Sequence, residues 1–354
     1  MKPAPVFTFH GEPTPGLRSL SAGLRSVLEA HGYRYEPAPK APQIVFNLIQ
    51  PDAVQPYRRR AQATFVFSLL EAQRVPEDPI AEFYIYLVRA LSNVLMVYTP
   101  GVGVRFLTLE LGHYVEPEGE GFYERIWARI APIARSTLVI ENRFETDLEP
   151  HLWNGDELTR SLSWAGRKLA EWDLLPAPFP LEKILPPRDL RHVKRLYGIG
   201  GLSYGNLSVR KDSRRFWMSA SGVDKSNLVQ IGRDILMVKD YDQNAIVLSV
   251  PPGVAVNRVS VDAIEHWMIY REHPDVGAII HVHAWMDGVD QTQFNYPCGT
   301  YELAQAVAEK VRQAPDPACA VVGLKNHGLT ITGRTLEEII ARVEGKLLRQ
   351  VPMS

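Results

Sequence analysis

The sequence predicts an α/β protein in two parts, a smaller layered domain followed by a larger one that carries the chemistry. Three observations predict it. Short β-branched and aromatic runs alternate with helically spaced apolar positions through the first 150 residues. A proline-rich connector, PAPFPLEKILPPRD, follows and cannot continue a helix. Histidines at metal-ligand spacing fall in the last third of the chain, in HVH and NHG.

The elements follow in order. IVFNLIQ (44–50) and ATFVFSLL (63–70) are short and apolar, as buried strands are. Residues 80–95 carry apolar positions at helical spacing, and VRFLTLEL (104–111) alternates as a strand. GFYERIWARIAPIARS reads as helix up to Pro132, and TLVIENRF returns to strand. No GxGxxG, GxxxxGK[ST] or His/Cys cluster occurs in this part, so its motifs assign it no activity. Residues 155–175 form an amphipathic helix, and the domain boundary is placed near residue 150, with the connector at 176–188 as the competing choice. The domains are therefore 1–150 and 151–354.

Composition excludes several classes. With 39 Lys and Arg against 40 Asp and Glu, no global field draws nucleic acid or an anionic membrane. No apolar run approaches the roughly 20 residues that span a bilayer, and the N-terminus lacks the apolar core of a signal peptide. Two cysteines, Cys298 and Cys319, make no disulfide framework, which fits a cytoplasmic protein.

Three stretches carry candidate chemistry. GLSYGNLSVR (201–210) and WMSASGVDKS (217–226) place Gly beside Ser or Asn at strand ends, where backbone N–H groups can face an anion. The same pattern also describes ordinary hairpin turns. VSVDAIEHWMIYREHPDVGAIIHVHAW (259–285) reads as a helix capped by Ser260, with Asp262 in its first turn, then a strand. His281 and His283 share one face of that strand, about 6–7 Å apart at Cα, and can converge on one ion. An exposed pair is the alternative. AVVGLKNHGLTITG (320–333) places His327 at a strand end, and Thr335 with Glu338 forms a capping box for a last helix.

GNLSVR, SASGVDKS, HVHAW and NHGLTITG, in that order, resemble the class II aldolase/adducin family over about residues 155–350. The resemblance implies a three-layer α/β/α domain around a mixed, largely antiparallel sheet, and a homotetramer with active sites at subunit interfaces. It implies His281, His283 and His327 as metal ligands, with zinc first and Mn, Co or Fe as substitutes. It places Asn206, Ser221, Gly222 and Ser260 at a substrate phosphate, and Asp262 where aldolases carry a catalytic Glu. The activity implied is a metal-dependent lyase, an aldolase or decarboxylase, acting on a small sugar-derived hydroxy-carbonyl compound. Three neutral imidazoles would leave a bound ion its charge and open positions to stabilise an enediolate. Asp at position 262 also matches the epimerase branch, so an epimerase or dehydratase is the second reading. An adducin-like scaffold is the third.

This sequence departs from the family pattern at Val261, where phosphate-binding relatives carry a second serine, so a non-phosphorylated substrate fits as well. Tyr296, Tyr301, Asp287 and Asp290 are the residues offered as a further proton donor.

Overall fold

The computed structural model describes every residue except 1–3, 60–63, 109–111, 175–180 and 197–204. The chain divides into two units, residues 1–135 with 180–191 and 353–354, and residues 136–179 with 192–352. Among the described residues no helix is long and apolar enough to cross a membrane.

The first unit contains β1 (Val6–His10), α1 (Pro15–Ala30), β2 (Arg34–Tyr35), β3 (Ile44–Leu48), β4 (Phe65–Glu71), α2 (Pro79–Ala90), β5 (Val94–Thr99), β6 (Gly103–Thr108), β7 (His113–Pro117) and α3 (Phe122–Ala134). Its strands lie in the order β2-β1-β3-β4-β5-β6-β7. The first five are parallel neighbours, and β6 and β7 extend the sheet antiparallel. Strands β3 and β5 are buried at every position, which is why they read as continuous apolar runs rather than alternating ones. Thr14 caps α1 by accepting from the Leu17 N–H at 3.3 Å, and Leu17, Leu20, Leu24 and Leu28 form its buried stripe.

Three sequence expectations change here. The helix expected over 80–95 stops at Ala90, because Leu91 turns left-handed at φ 51° and the apolar run after it pairs as β5. Helix α3 does not stop at Pro132 but continues to Ala134. The hydrogen bond lost at the proline falls in the last turn, where buried Ile130 and Ile133 still hold the helix down. The third concerns the boundary. The strand within TLVIENRF was assigned to the first domain, yet it pairs with the second sheet, so the division falls at residue 135 rather than near 150. Strand pairing is non-local and leaves no mark on local composition. The last three residues of VRFLTLEL lie outside the described residues.

In chain order the remaining elements are β8 (Glu141–Glu145), α4 (Glu157–Glu171), α5 (Pro187–Leu196, where the division crosses the chain), β9 (Gly205–Arg210), β10 (Phe216–Ser219), β11 (Ile235–Asp242), β12 (Ala245–Ser249), α6 (Ala263–Glu272), β13 (Ala278–Val282), β14 (Asp290–Gln291), α7 (Tyr301–Gln313), β15 (Val321–Leu324), β16 (Gly328–Gly333) and α8 (Leu336–Val343). The second unit's nine strands run β14-β15-β16-β13-β9-β10-β11-β12-β8. The two edge strands are parallel to their neighbours and every other pair is antiparallel. One core packs α4 and α8 against Leu207, Ile280 and Ile331. The other packs α6 and α7 against Met218, Ile279 and Val322. Alternate strand residues thus feed opposite cores, giving the three-layer α/β/α sandwich with a mixed, largely antiparallel sheet. At the last helix Thr335 accepts from the Glu338 N–H at 3.1 Å. The Glu338 carboxylate takes the Arg334 N–H instead of completing the expected capping box.

Gly166 marks a close approach within the second unit. A Cβ there would lie 1.9 Å from the Lys225 carbonyl oxygen, so α4 can carry only glycine where the short helix Lys225–Asn227 crosses it. Gly166→Ala is expected to destabilise the second unit by about 1–3 kcal/mol despite alanine's better helix propensity. Urea unfolding followed through tryptophan fluorescence checks this, and an unchanged midpoint would refute the close packing.

Candidate metal centre

The site grows from three adjacent strands. His281 on β13 lies directly opposite Asn206 on β9 and Thr330 on β16. Opposite residues of antiparallel strands point to the same face, so these side chains share the face covered by α6. Two glycines let the backbones close around them. A Cβ on Gly205 would meet the His281 carbonyl oxygen at 2.5 Å, and one on Gly328 would meet the Val282 oxygen at 2.3 Å. Asn326 makes the tight turn before His327 at φ 59°.

The three sequence-identified histidines come together. One ring nitrogen from each lies within 4.8 Å of the other two. Ring centroids are 5.1 Å apart for His281 and His283, 4.9 Å for His281 and His327, and 4.4 Å for His283 and His327. His281 Nδ1–H donates to the Leu329 carbonyl at 3.0 Å, which fixes the tautomer and presents the Nε2 lone pair to the site. His281 Nε2 and His327 Nε2 are 3.1 Å apart. Two nitrogens on one tetrahedral zinc, each at 2.0–2.1 Å, are separated by about 3.3 Å. Burial, with His327 and His281 beside it, holds the His283 imidazole well below its ordinary pKa, and Lys225 acts in the same direction. A neutral imidazole is the form that binds a cation. The donor set therefore fits a divalent ion. Cys298 Sγ lies 3.4 Å from both ring nitrogens of His327.

Asp262 reaches the same face from the head of α6. Its Oδ2 accepts from Asn206 Nδ2 at 2.8 Å. One turn further on, Glu265 Oε1 accepts from the Thr330 hydroxyl at 2.5 Å. Asn206 Oδ1, Asp262 Oδ1 and Glu265 Oε2 are buried without a hydrogen-bond partner among the described residues. Unsatisfied buried polar atoms are costly; a cation or donor-bearing molecule would satisfy Asn206 Oδ1 and Asp262 Oδ1, and an acceptor would satisfy the Glu265 carboxyl in its protonated form. Burial, helped by the Asp262 charge, pushes the Glu265 carboxyl up to about 8. Burial likewise brings the Lys225 amine down to about 8, with Asp224 and Asp262 opposing.

The predicted anion-binding residues divide into two groups. Asn206 lies beside the histidines and holds Asp262. Ser221 and Gly222 stand on a turn joined to the segment just before α6, through the Ala220–Val259 bridge and the Ser221 N–H to Arg258 oxygen bond of 2.9 Å. Ser260 is buried on that adjoining segment, two residues before Asp262. It does not cap α6 as expected. Asp262 takes the N-cap position, but its side chain makes no capping bond and its Oδ2 accepts from Asn206 instead. The GLSY start of the first glycine motif lies outside the described residues. Of the residues offered as further proton donors, Asp290 is paired with Lys310 at 2.7 Å, and Tyr296 packs against the α6–α7 core.

Sequence reasoning missed Glu265, Lys225 and Cys298 as neighbours of the site. For Glu265 the signal was present. Asp262, Glu265 and His266 are spaced three and four apart, so they share one helix face, which the strand histidines make the inner one. Nothing local marks Lys225, which is only 3% exposed and whose backbone carbonyl lies against α4 at Gly166.

Comparison with known proteins follows the same residues. Residues 191–286 match the family described as Class II Aldolase and Adducin N-terminal domain. A methylthioribulose-1-phosphate dehydratase from Cronobacter sakazakii is 27% identical over 121 residues, 33% of this chain, and the chain spans 57% of that relative's length. A 3-oxo-tetronate 4-phosphate decarboxylase from Haemophilus influenzae is 26% identical over 165 residues, covering 40% of this chain and 72% of the relative. Among solved structures, an L-fuculose 1-phosphate aldolase aligns with TM-score 0.37 and 20% identity, over 54% of this chain and 81% of its own. It is residues 191–286, almost all of them in the second unit, that carry the likeness to the class II aldolase and adducin family.

Proposed function

We propose that the second unit is a divalent-metal-dependent lyase acting on a small, sugar-derived hydroxy-carbonyl compound. The observation that carries this reading is the meeting of His281, His283 and His327 within 4.8 Å, beside an Asp262 carboxylate tied to the same face through Asn206. A scaffold gains nothing from three imidazoles, two of them buried, directed at one point.

His281, His283 and His327 would hold the ion, zinc first, with Mn, Co or Fe able to replace it. Once bound it would supply Lewis-acid stabilisation of negative charge developing on substrate oxygen, a contribution of several kcal/mol. The protein's own groups divide the remaining work. Asn206 fixes Asp262 by one carboxylate oxygen and leaves Oδ1 to exchange a proton with the substrate. Glu265, whose carboxyl burial and the Asp262 charge push toward the neutral form while no ion is bound, keeps the pair from carrying two adjacent negative charges. Ser221, Gly222 and Ser260 offer hydroxyl and backbone donors where an anionic substrate group would lie. Lys225 adds positive charge near Asp262. A homo-oligomer and a cytoplasmic setting belong to this reading.

A dehydratase is the second reading, supported by the relatives named for methylthioribulose-1-phosphate and by the shorter acid at position 262. The test is turnover of methylthioribulose 1-phosphate, 3-oxo-tetronate 4-phosphate and L-fuculose 1-phosphate by zinc- or manganese-loaded protein. Water loss against carbon–carbon cleavage separates the two readings. Metal content that stays substoichiometric after incubation with either ion would leave only a scaffold.

Two outcomes follow. His283→Ala is expected to lose bound metal by elemental analysis and all turnover, whereas Asp262→Asn keeps the metal and loses about 10²–10⁴-fold in rate. Turnover by Asp262→Asn equal to the parent would remove that residue from the mechanism. Stability reports on Glu265 separately. The folded carboxyl keeps its proton up to about pH 8, while the unfolded one releases it near its ordinary value of 4.5. Glu265 therefore makes the chain less stable as pH rises from about 4.5 to 8. In the presence of chelator, Glu265→Gln should match the parent near pH 4 and exceed it by on the order of a few kcal/mol at pH 8. Parallel stability curves for the two proteins would contradict a protonated Glu265.

A further inference from the structure

The first unit carries a crevice of its own. Its parallel strands run β2-β1-β3-β4-β5, so the chain leaves β1 toward β2 and leaves β3 toward β4, in opposite directions. In open α/β sheets ligands bind outside the carboxyl ends of the strands where the connections part in this way. A cavity of about 630 Å³ lies there, bounded by the end of β1, residues 37–39 and residues 55–59. That is an ordinary size for a small-molecule site.

The wall has a definite chemistry. It includes Arg58, Arg59 and His10 and, among the described residues, no Asp or Glu. Residues 55–59 are tied down rather than loosely draped. Asn47, the register partner of His10, donates to the Gln55 carbonyl at 3.0 Å. The Tyr57 ring packs edge-on against His10 with centroids 5.2 Å apart. Arg59 donates to the Leu91 carbonyl at 3.1 Å and to Asn93 Oδ1 at 2.8 Å. Arg58 makes no ion pair or hydrogen bond among the described residues, so its guanidinium is available to a ligand.

The fold's other anion position is closed. In the first βα turn of such sheets a phosphate rests on the helix N-terminus. Here the chain's own Glu71 fills it, accepting from the Gly16 N–H at 3.0 Å and from the Thr14 hydroxyl. A Cβ on Gly16 would overlap that carboxylate at 2.6 Å. An anionic ligand is thus directed to the Arg58 side, where a guanidinium fork suits a phosphate. Tyr57, Phe9 and the neighbouring prolines offer flat apolar surface for a ring.

We propose that the first unit binds a phosphorylated, ring-bearing small molecule of the mononucleotide class in this crevice, with its phosphate on Arg58 and its ring against Tyr57. Such a site is independent of the histidine cluster. Titration calorimetry of the full chain with AMP tests it. The expected result is saturable binding, weakened at least tenfold by Arg58→Ala, weakened by Tyr57→Ala, and unchanged by His283→Ala. The Arg58 position is exposed, and circular dichroism of the variant verifies its fold. Adenosine and inorganic phosphate should each bind more weakly than AMP. Absence of AMP binding up to millimolar concentration overturns the proposal, as does equal binding by Arg58→Ala or loss of binding in His283→Ala. Equal affinity for inorganic phosphate would overturn the ring contact, and equal affinity for adenosine the anion contact.

Discussion

The register of β9, β13 and β16 is the constraint on which the site depends. Because His281 stands between Asn206 and Thr330, one residue on each strand faces α6 at the same level. Asn206 then holds Asp262, Thr330 holds Glu265, and one step along the sheet Ser208 meets His266 at 2.7 Å and Tyr270 at 2.8 Å. A slip by a single residue would turn each of these side chains into the α4–α8 core. The glycines at 205 and 328 keep the strands close enough for that register to bring His281 and His327 together.

The same arrangement explains the protonation pattern. Polar groups sealed between a helix and a sheet must be paired or uncharged. His266, with no exposed surface, is brought down to about 3 by burial, with His281 nearby, and stays neutral. Glu265 stays neutral by the opposite shift. What remains is a row of uncharged donors and acceptors, with unsatisfied oxygens gathered near the imidazoles. A low-dielectric site of this kind strengthens any charge placed in it, which is the condition under which a cation and a single carboxylate act strongly on a substrate.

Legibility in the sequence followed the range of the interactions. HVH on a strand and NHG at a hairpin specify their local geometry, so the three histidines could be named before any fold was known. Their meeting depends on β13 pairing with β16 across some fifty positions, and the ordered family motifs supplied that link. Glu265 and Lys225 were hidden for a different reason. An acid on a helix and a lysine in a loop are ordinary surface residues until packing covers them. In the first unit β3 and β4 are legible as buried runs, whereas β5 is hidden in a helix expectation because the short Ser92-Asn93 turn before VLMVYT does not interrupt the helical spacing of the apolar residues around it. The transfer of β8 to the second sheet rests on pairing with β12 and on the Arg143–Asp242 and Lys239–Glu145 ion pairs, all distant in sequence.

The proposed site turns on three imidazole nitrogens sharing one ion. X-ray absorption at the zinc edge of zinc-loaded protein reads this directly. The expected result is three histidine nitrogens at about 2.0–2.1 Å, with the outer-shell scattering of imidazole rings. A first shell of water or carboxylate oxygen without that imidazole signature would contradict it.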